Sequence, residues 1–223
     1  MSVARGGTSV MARRKEPPSS LDYFPTPPWA TRAGAEVILS LDPTARQACE
    51  PACGEGHMAA VLHESFPSVH AFDVFPYGYG EQRDFLDEAA WQDSTFEWVI
   101  SNPPFKIAEQ FVTLSLERST RGVAMLLRSA FAEGGDRYRQ LFKDHPPAVI
   151  AQYVERVAMV AGRWDPKASS ATAYAWFIWV KGTVGSTEFR WIPPGTKSRL
   201  TRPDDATRFS ELAAIPLFPE AAE

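Results

Sequence analysis

Cysteine is scarce in this chain: Cys49 and Cys53 are the only two in 223 residues. Two thiols cannot build a disulfide framework, so reduced side chains are expected. Histidine is sparse too, and His57, His63, His70 and His145 show no metal-ligand spacing with the cysteines, so no metal is expected. An excess of one charge is also missing. A net charge of −4 and an isoelectric point near 5.7 leave no global basic field, and a polyanion would have to be met by a local patch. No apolar run approaches the ~20 residues of a membrane-spanning helix. The N-terminus carries arginines but no hydrophobic signal core. These absences together predict a cytoplasmic protein without membrane contact, and internal repeats are absent as well.

The chain does have enough apolar residues for one large domain with a full core: 44% hydrophobic and 22% charged. Residues 1–20 are rich in Gly, Ser, Pro and basic side chains, which predicts a disordered tail. Strand-like runs then alternate with helix-like ones, implying βαβ units and a mostly parallel sheet over residues 21–185. Thr172 to Val180 reads as a late, antiparallel strand. Residues 186–223, with Pro193-Pro194-Gly195, read as an irregular extension.

One stretch organises the rest, Val99-Ile100-Ser101-Asn102-Pro103-Pro104-Phe105. Phe96 to Ile100 is an apolar run expected to form a buried strand. Two prolines then stop it, and each keeps the residue before it extended. The product is a rigid tip at a strand's carboxyl end, with an amide, carbonyls and an aromatic ring. Such a tip suits a planar molecule bearing an amino group; a simple strand ending with Phe105 in the core is the alternative.

Upstream, Glu50-Pro51-Ala52-Cys53-Gly54-Glu55-Gly56 joins a short strand to a helix from Met58 to Phe66. Gly54, Gly56 and Ala59 match the G-x-G-x-x-A turn of nucleotide-binding folds. Asp73 ends the next strand about 20 positions on, where an acid accepts ribose hydroxyls. Asp84 and Phe85 offer a second carboxylate and a ring, although Asp84 is equally suited to cap a short helix. Further upstream, Thr26 before Pro27 predicts a helix start with a hydroxyl cap.

These motifs resemble those of the S-adenosylmethionine-dependent DNA amino-methyltransferases of the N(6)-adenine type. Glu50 to Gly56 looks like their cofactor loop, Asn102 to Phe105 like their catalytic motif, and Tyr23-Phe24-Pro25-Thr26-Pro27-Pro28 like their methionine-end element. The order is similar to the gamma arrangement, and the compact form resembles the small methylases of phages. The resemblance spans residues 22 to 130, and more weakly to 182. It implies an α/β Rossmann-like methyltransferase fold, with a mostly parallel seven-stranded sheet, a late antiparallel strand and helices on both faces. No separate target-recognition domain is expected after the tip.

The resemblance also implies roles. The Asn102 side-chain oxygen and the Pro103 carbonyl, held by Pro104, accept the two N–H bonds of an adenine amino group in DNA. Phe105 stacks on the flipped base. Around S-adenosylmethionine, Gly54 and Gly56 allow close backbone approach within the Pro51-Ala52-Cys53 loop. Glu50 meets the methionine amino group, Thr26 its carboxylate, Asp73 the ribose, and Asp84 and Phe85 the adenine. Cys53 has no catalytic part. Lys106, Arg163, Trp164 and Lys167 are candidate DNA contacts, with solvated surface as their alternative. A monomer is expected, with dimerisation left open. Three rival functions remain: the same chemistry on an RNA base or a protein glutamine; a nicotinamide-dependent oxidoreductase, which Gly54, Gly56, Ala59 and Asp73 would also fit; and a non-enzymatic binding module that has lost activity, against which the intact tip argues.

Overall fold

In the computed structural model residues 22–212 are described, Asp93 and Val184 excepted, with residues 210–212 as backbone only. The tail expected over 1–20 lies outside them. Eight strands form one sheet: β1 (Gln47–Glu50), β2 (Ser68–Asp73), β3 (Glu81–Gln82), β4 (Phe96–Ser101), β5 (Ser119–Arg128), β6 (Val149–Tyr153), β7 (Tyr174–Val180) and β8 (Glu188–Ile192). Their spatial order is β3-β2-β1-β4-β5-β7-β6-β8. Only β7 runs against its neighbours, antiparallel to β5 and β6, while the other pairs are parallel.

The strand count corrects the expectation of seven. Neither the two-residue β3 nor β8 reads as a strand from the sequence, and β8 lies in the segment read as irregular, which also forms α5 (Thr196–Leu200) and α6 (Asp205–Leu212). Prolines at 193 and 194 hid the strand, but they follow its last residue instead of interrupting it.

The central strands are buried on both faces, as parallel strands covered by helices must be. Trp98 and Ile100 of β4 enter one core, and Val99 enters the other. The first core is covered by α1 (Pro28–Leu41) and α2 (His57–Leu62), the second by α3 (Ala108–Arg118) and a short α4 (Gly135–Arg137) running into a wide turn at Tyr138–Phe142. Gly34 lets α1 lie directly on β7: a Cβ there would stand 2.3 Å from the Trp176 indole. The indole N–H of Trp176 donates to the Tyr153 hydroxyl at 2.6 Å, and that hydroxyl donates to the Ala30 carbonyl at 2.5 Å. Large aromatic side chains are thus buried without leaving their polar atoms unpaired.

Strand order reverses between β1 and β4, since β1 leads outward to β2 and β3 and β4 leads to β5. A crevice opens at the carboxyl ends of strands on either side of such a point. Glu50 ends β1, Asp73 ends β2, Asn102 follows β4 and Arg128 ends β5. Among the described residues, no helix is long and apolar enough to cross a membrane.

Candidate active site

The crevice is lined by Glu50, Pro51, Ala52 and Cys53 of the glycine loop, by Asp73, Asp84 and Phe85, and by Asn102 and Pro104 of the tip. Asp22 to Thr26, a strap without regular secondary structure, also lines it, so Thr26 faces the cleft. Gly54 and Gly56 adopt positive φ, 53° and 85°. A Cβ on Gly54 would lie 2.2 Å from the Tyr23 ring, and one on Gly56 2.2 Å from the Tyr79 ring. Conformation and close packing both require glycine at these two turns.

Asp73 braces this loop. Its Oδ2 accepts from the Gly54 N–H at 2.8 Å and its Oδ1 from the Phe75 N–H at 2.9 Å. Burial raises its pKa, and these backbone donors oppose the rise. Each carboxylate oxygen retains a second lone pair for a hydroxyl.

Glu50 is 2% exposed, and its Oε2 has no partner among the described residues. Burial, and next the charge of Asp73, push its carboxyl well above the usual range. The backbone N–H of Ala59 opposes that rise, but no cation among the described residues offsets the charge, and a buried carboxylate without one is costly. Burial also pushes the Cys53 thiol up, which suppresses the nucleophilic thiolate.

The amide of Asn102 is oriented by its neighbours. Its Nδ2 donates to the Phe24 carbonyl at 2.8 Å and to the Thr26 hydroxyl at 3.1 Å, and lies 3.5 Å from the Met159 sulfur. A carbonyl can only accept, so the nitrogen must face the strap and the oxygen must face away from it. That oxygen, Oδ1, is buried and has no partner among the described residues. The strap therefore consumes the donors of the amide and leaves its acceptor.

Thr26 corrects the expectation of a helix cap. The residue before α1 is Pro27, with no side-chain cap, and the Thr26 hydroxyl is instead Asn102's partner. Asp84 does not cap a helix through Ala90 either. Its Oδ1 accepts from the Leu86 N–H at 2.8 Å, closing a local turn. Phe85 lines the cleft but is 1% exposed, packed on Trp91 and Phe111.

Pro103 is buried and Phe105 half-buried, the latter 5.5 Å from Phe24 and 6.0 Å from Tyr174 between ring centroids, and neither is among the residues that line the crevice. Lys106 and Lys167 are exposed, and Arg163 pairs with Asp165 at 3.5 Å. Trp164, expected to be exposed, is half-buried on Phe209 of α6, with centroids 6.1 Å apart. None of the four candidate DNA contacts, Lys106, Arg163, Trp164 and Lys167, lines the crevice.

From the sequence, Tyr23 stands only within the 23–28 element, with no role of its own, and His57 is not singled out as a site residue. The Tyr23 hydroxyl donates to Glu55 Oε2 at 3.2 Å and lies 3.1 Å from His57 Nδ1. His57 also lines the cleft and is 1% exposed. Its Nε2 makes no hydrogen bond of normal geometry among the described residues. Burial lowers its pKa to about 4, so the ring is neutral at physiological pH. Its place directly after Gly56 was the available signal.

No family model matches the chain, and no curated protein matches it. Solved structures do. A Listeria monocytogenes protein assigned as a class I S-adenosylmethionine-dependent methyltransferase aligns over 90% of this chain and 73% of its own, at 14% identity and a TM-score of 0.60. A modification subunit assigned to a type I restriction enzyme of Vibrio vulnificus aligns over 89% of this chain at 14% identity and a TM-score of 0.53, but the match spans only 54% of that subunit. An assigned RNA methyltransferase of Pyrococcus horikoshii aligns over 74% of this chain and 90% of its own, at 16% identity and a TM-score of 0.55. The architecture is the Rossmann-like fold of the class I methyltransferases.

Proposed function

We propose that this chain transfers the methyl group of S-adenosylmethionine to the exocyclic amino group of an adenine flipped out of DNA. The observation that carries the proposal is the Asn102 amide, whose Nδ2 is held by Phe24 and Thr26 while its buried Oδ1 stays unpartnered. An adenine amino group is a poor nucleophile because its lone pair is delocalised into the ring. An acceptor that takes one of its N–H bonds, with the Pro103 carbonyl taking the other, draws the nitrogen towards a pyramidal form. Its lone pair then points at the electrophile. A donor in the same place would do the opposite, so the fixed amide orientation matters.

The residues present fit the cosubstrate. Glu50 offers a buried carboxylate whose Oε2 has no partner among the described residues to an ammonium group, Asp73 keeps lone pairs for ribose hydroxyls, and Gly54 and Gly56 bring the backbone close. Bound S-adenosylmethionine supplies the electrophilic methyl carbon. Asn102 positions the amine, the Tyr23 to Thr26 strap keeps the amide aligned, and Phe105 stacks on the base. Positioning is the principal catalytic term in such a displacement. Stacking on Phe105 is worth roughly 1–3 kcal/mol, comparable to the few kcal/mol that base extrusion costs. Similarity to restriction modification subunits supports DNA as the acceptor, and Lys106 is a candidate phosphate contact beside the tip.

Transfer of labelled methyl to DNA, RNA or protein tests this. Label is expected on adenine in DNA. Label found only on RNA or on protein glutamine would replace the substrate, and binding of nicotinamide cofactors without transfer would replace the chemistry. Asn102→Ala is expected to lower turnover on the order of 100- to 1,000-fold, the scale of losing one group that stabilises the transition state. Cofactor affinity should stay within a few-fold. A loss of cofactor binding instead would refute the role given to this amide.

A further inference from the structure

Phe105 has an occupant on its ring that the chemistry above does not use. Arg128, the last residue of β5, places its guanidinium carbon 4.6 Å from the Phe105 centroid, well within the ~6 Å reach of a cation–π contact. Phe24 and Tyr174 border the same ring through tilted contacts. Those two neighbours are buried and fixed, whereas Arg128 is exposed on a long side chain.

Arg128 is also unlike most arginines of this chain. Nearby Arg137 is paired with Glu109 at 2.7 Å, and Arg121 is paired with Asp42. Arg128 forms no ion pair and no side-chain hydrogen bond among the described residues, so its N–H donors are unspent. A planar guanidinium stacked on an aromatic ring resembles a base in shape, and its donor fork matches two phosphate oxygens. Lys106, exposed and next to Phe105, puts a second cation at this mouth. In a chain of net charge −4, such a local pair is what a polyanion would find.

We propose that Arg128 is a substrate-binding residue: it rests on Phe105 until a nucleobase stacks there, then turns to pair with the phosphate beside the extruded nucleotide. The inference rests on the nucleic-acid function proposed above. Base entry and phosphate pairing become one exchange, in which the ring gains a base and the displaced cation gains a better partner. Because Arg128 is exposed and lies outside the cofactor loop, replacing it should leave the fold and the cofactor site intact.

The experiment compares wild type with Arg128→Met and Arg128→Lys. It measures dissociation constants for a duplex acceptor across salt concentration, the KM for that duplex, S-adenosylmethionine affinity and the melting temperature. For Arg128→Met, the log–log salt slope is expected to fall by about one. The KM for DNA should rise about tenfold, with cofactor affinity and melting temperature unchanged. Arg128→Lys should restore the slope while leaving part of the KM defect, since an ammonium pairs with phosphate but cannot stack or fork. An unchanged slope and KM in Arg128→Met would overturn the inference and leave Arg128 as packing on Phe105. If the wild type methylates RNA and not DNA, the same slope loss on RNA would support Arg128's role while overturning the DNA assignment. Transfer to protein alone would overturn both.

Discussion

Two buried polar clusters in this molecule are built on opposite terms. On the outer side of α1, Arg32 spends every donor it has. Its Nε and Nη2 donate to Glu64 at 2.7 and 3.0 Å, Nη1 and Nη2 donate to Asp205 at 2.7 Å, and Nη1 also reaches the Leu200 carbonyl at 2.7 Å. Glu64 receives Arg202 at 2.9 Å and Arg208 at 2.7 Å as well. In the crevice, by contrast, Glu50 Oε2 and Asn102 Oδ1 are equally buried and have no partner among the described residues. Most buried polar groups in folded proteins are paired. The first cluster therefore holds α1, α2, α5 and α6 together, and the second leaves open acceptors in the crevice, where the proposed function would use them. Paired and orphaned groups should respond oppositely to the same kind of substitution.

The saturated cluster gives the largest expected effect. Arg32→Met leaves Glu64 and Asp205 buried with their principal cation gone, and breaking a buried pair from one side costs about 3–5 kcal/mol. Burial alone would lower the Arg32 pKa, but its bonds to Asp205 and Glu64 raise it instead. Burial likewise opposes ionisation of Glu64 and Asp205, yet the arginines hold both below their usual values. Depressed carboxylates stabilise the fold above their unfolded pKa, and that stability is lost as pH falls through the depressed values. Thermal melts should thus show a large gap between wild type and Arg32→Met at pH 7, closing in acid. A gap below about 1 kcal/mol at pH 7, against that expectation, would mean the network is surface decoration and would break the contrast.

The orphaned cluster predicts a gain where the saturated one predicts a loss. Glu50 has a folded pKa raised by burial and by Asp73, so its ionised form opposes folding at neutral pH. The sign is the reverse of the Glu64 case: stability is fullest below the unfolded pKa and falls as pH rises. Glu50→Gln keeps the shape and removes the charge, and should stabilise the ligand-free protein at pH 7 by about 1–2 kcal/mol. The same change should weaken S-adenosylmethionine binding tenfold or more, since a hydrogen bond to a charged group is worth about 1.5–3 kcal/mol. Calorimetry reads both numbers. A less stable Glu50→Gln protein, or one that binds the cofactor normally, would show that Glu50 is structural.

The contrast also explains what the sequence disclosed. The crevice was legible because its residues are punctuation: Gly54 and Gly56 need positive φ, Pro103 and Pro104 stop β4, and Asp73 stands a fixed distance beyond the turn. Each acts locally, so each leaves a local mark. The saturated cluster joins Arg32 to Asp205, 173 residues on, and nothing local distinguishes either from a solvated charge. β8 was hidden for a related reason. Its exposed residues Phe189 and Trp191, 54% and 66% accessible, alternate with Arg190 in a pattern too short to outweigh the following prolines. Thr26 was misread because a hydroxyl before Pro-Pro fits a helix cap locally, while its actual partner, Asn102, is 76 residues away. Trp164 was misjudged because it packs against Ala60 and Val61 of α2 and Phe209 of α6, residues remote in sequence.

The smallest expected effect lies where the two clusters approach each other. His57 stacks against Phe209 of α6 at 6.0 Å and holds the strap through Tyr23 at 3.1 Å, so it touches both the brace and the crevice. At pH 7.5 the change His57→Gln should cost no more than about 1 kcal/mol, the worth of one ordinary hydrogen bond. Its signature is instead a slope. With a folded pKa of about 4 against the ordinary 6.5 of a histidine, His57 is neutral in the fold and charged in the unfolded chain between those values. The unfolded state then binds more protons, so stability must fall as pH drops from 6.5 towards 4. Removing the titrating ring should flatten that fall, while Arg32→Met, which acts through carboxylates, should leave it in place down to the carboxylate range. Parallel stability curves for wild type and His57→Gln between pH 6.5 and 4.5 would place His57 in contact with solvent. The link it is said to make between α6 and the cofactor loop would then be lost.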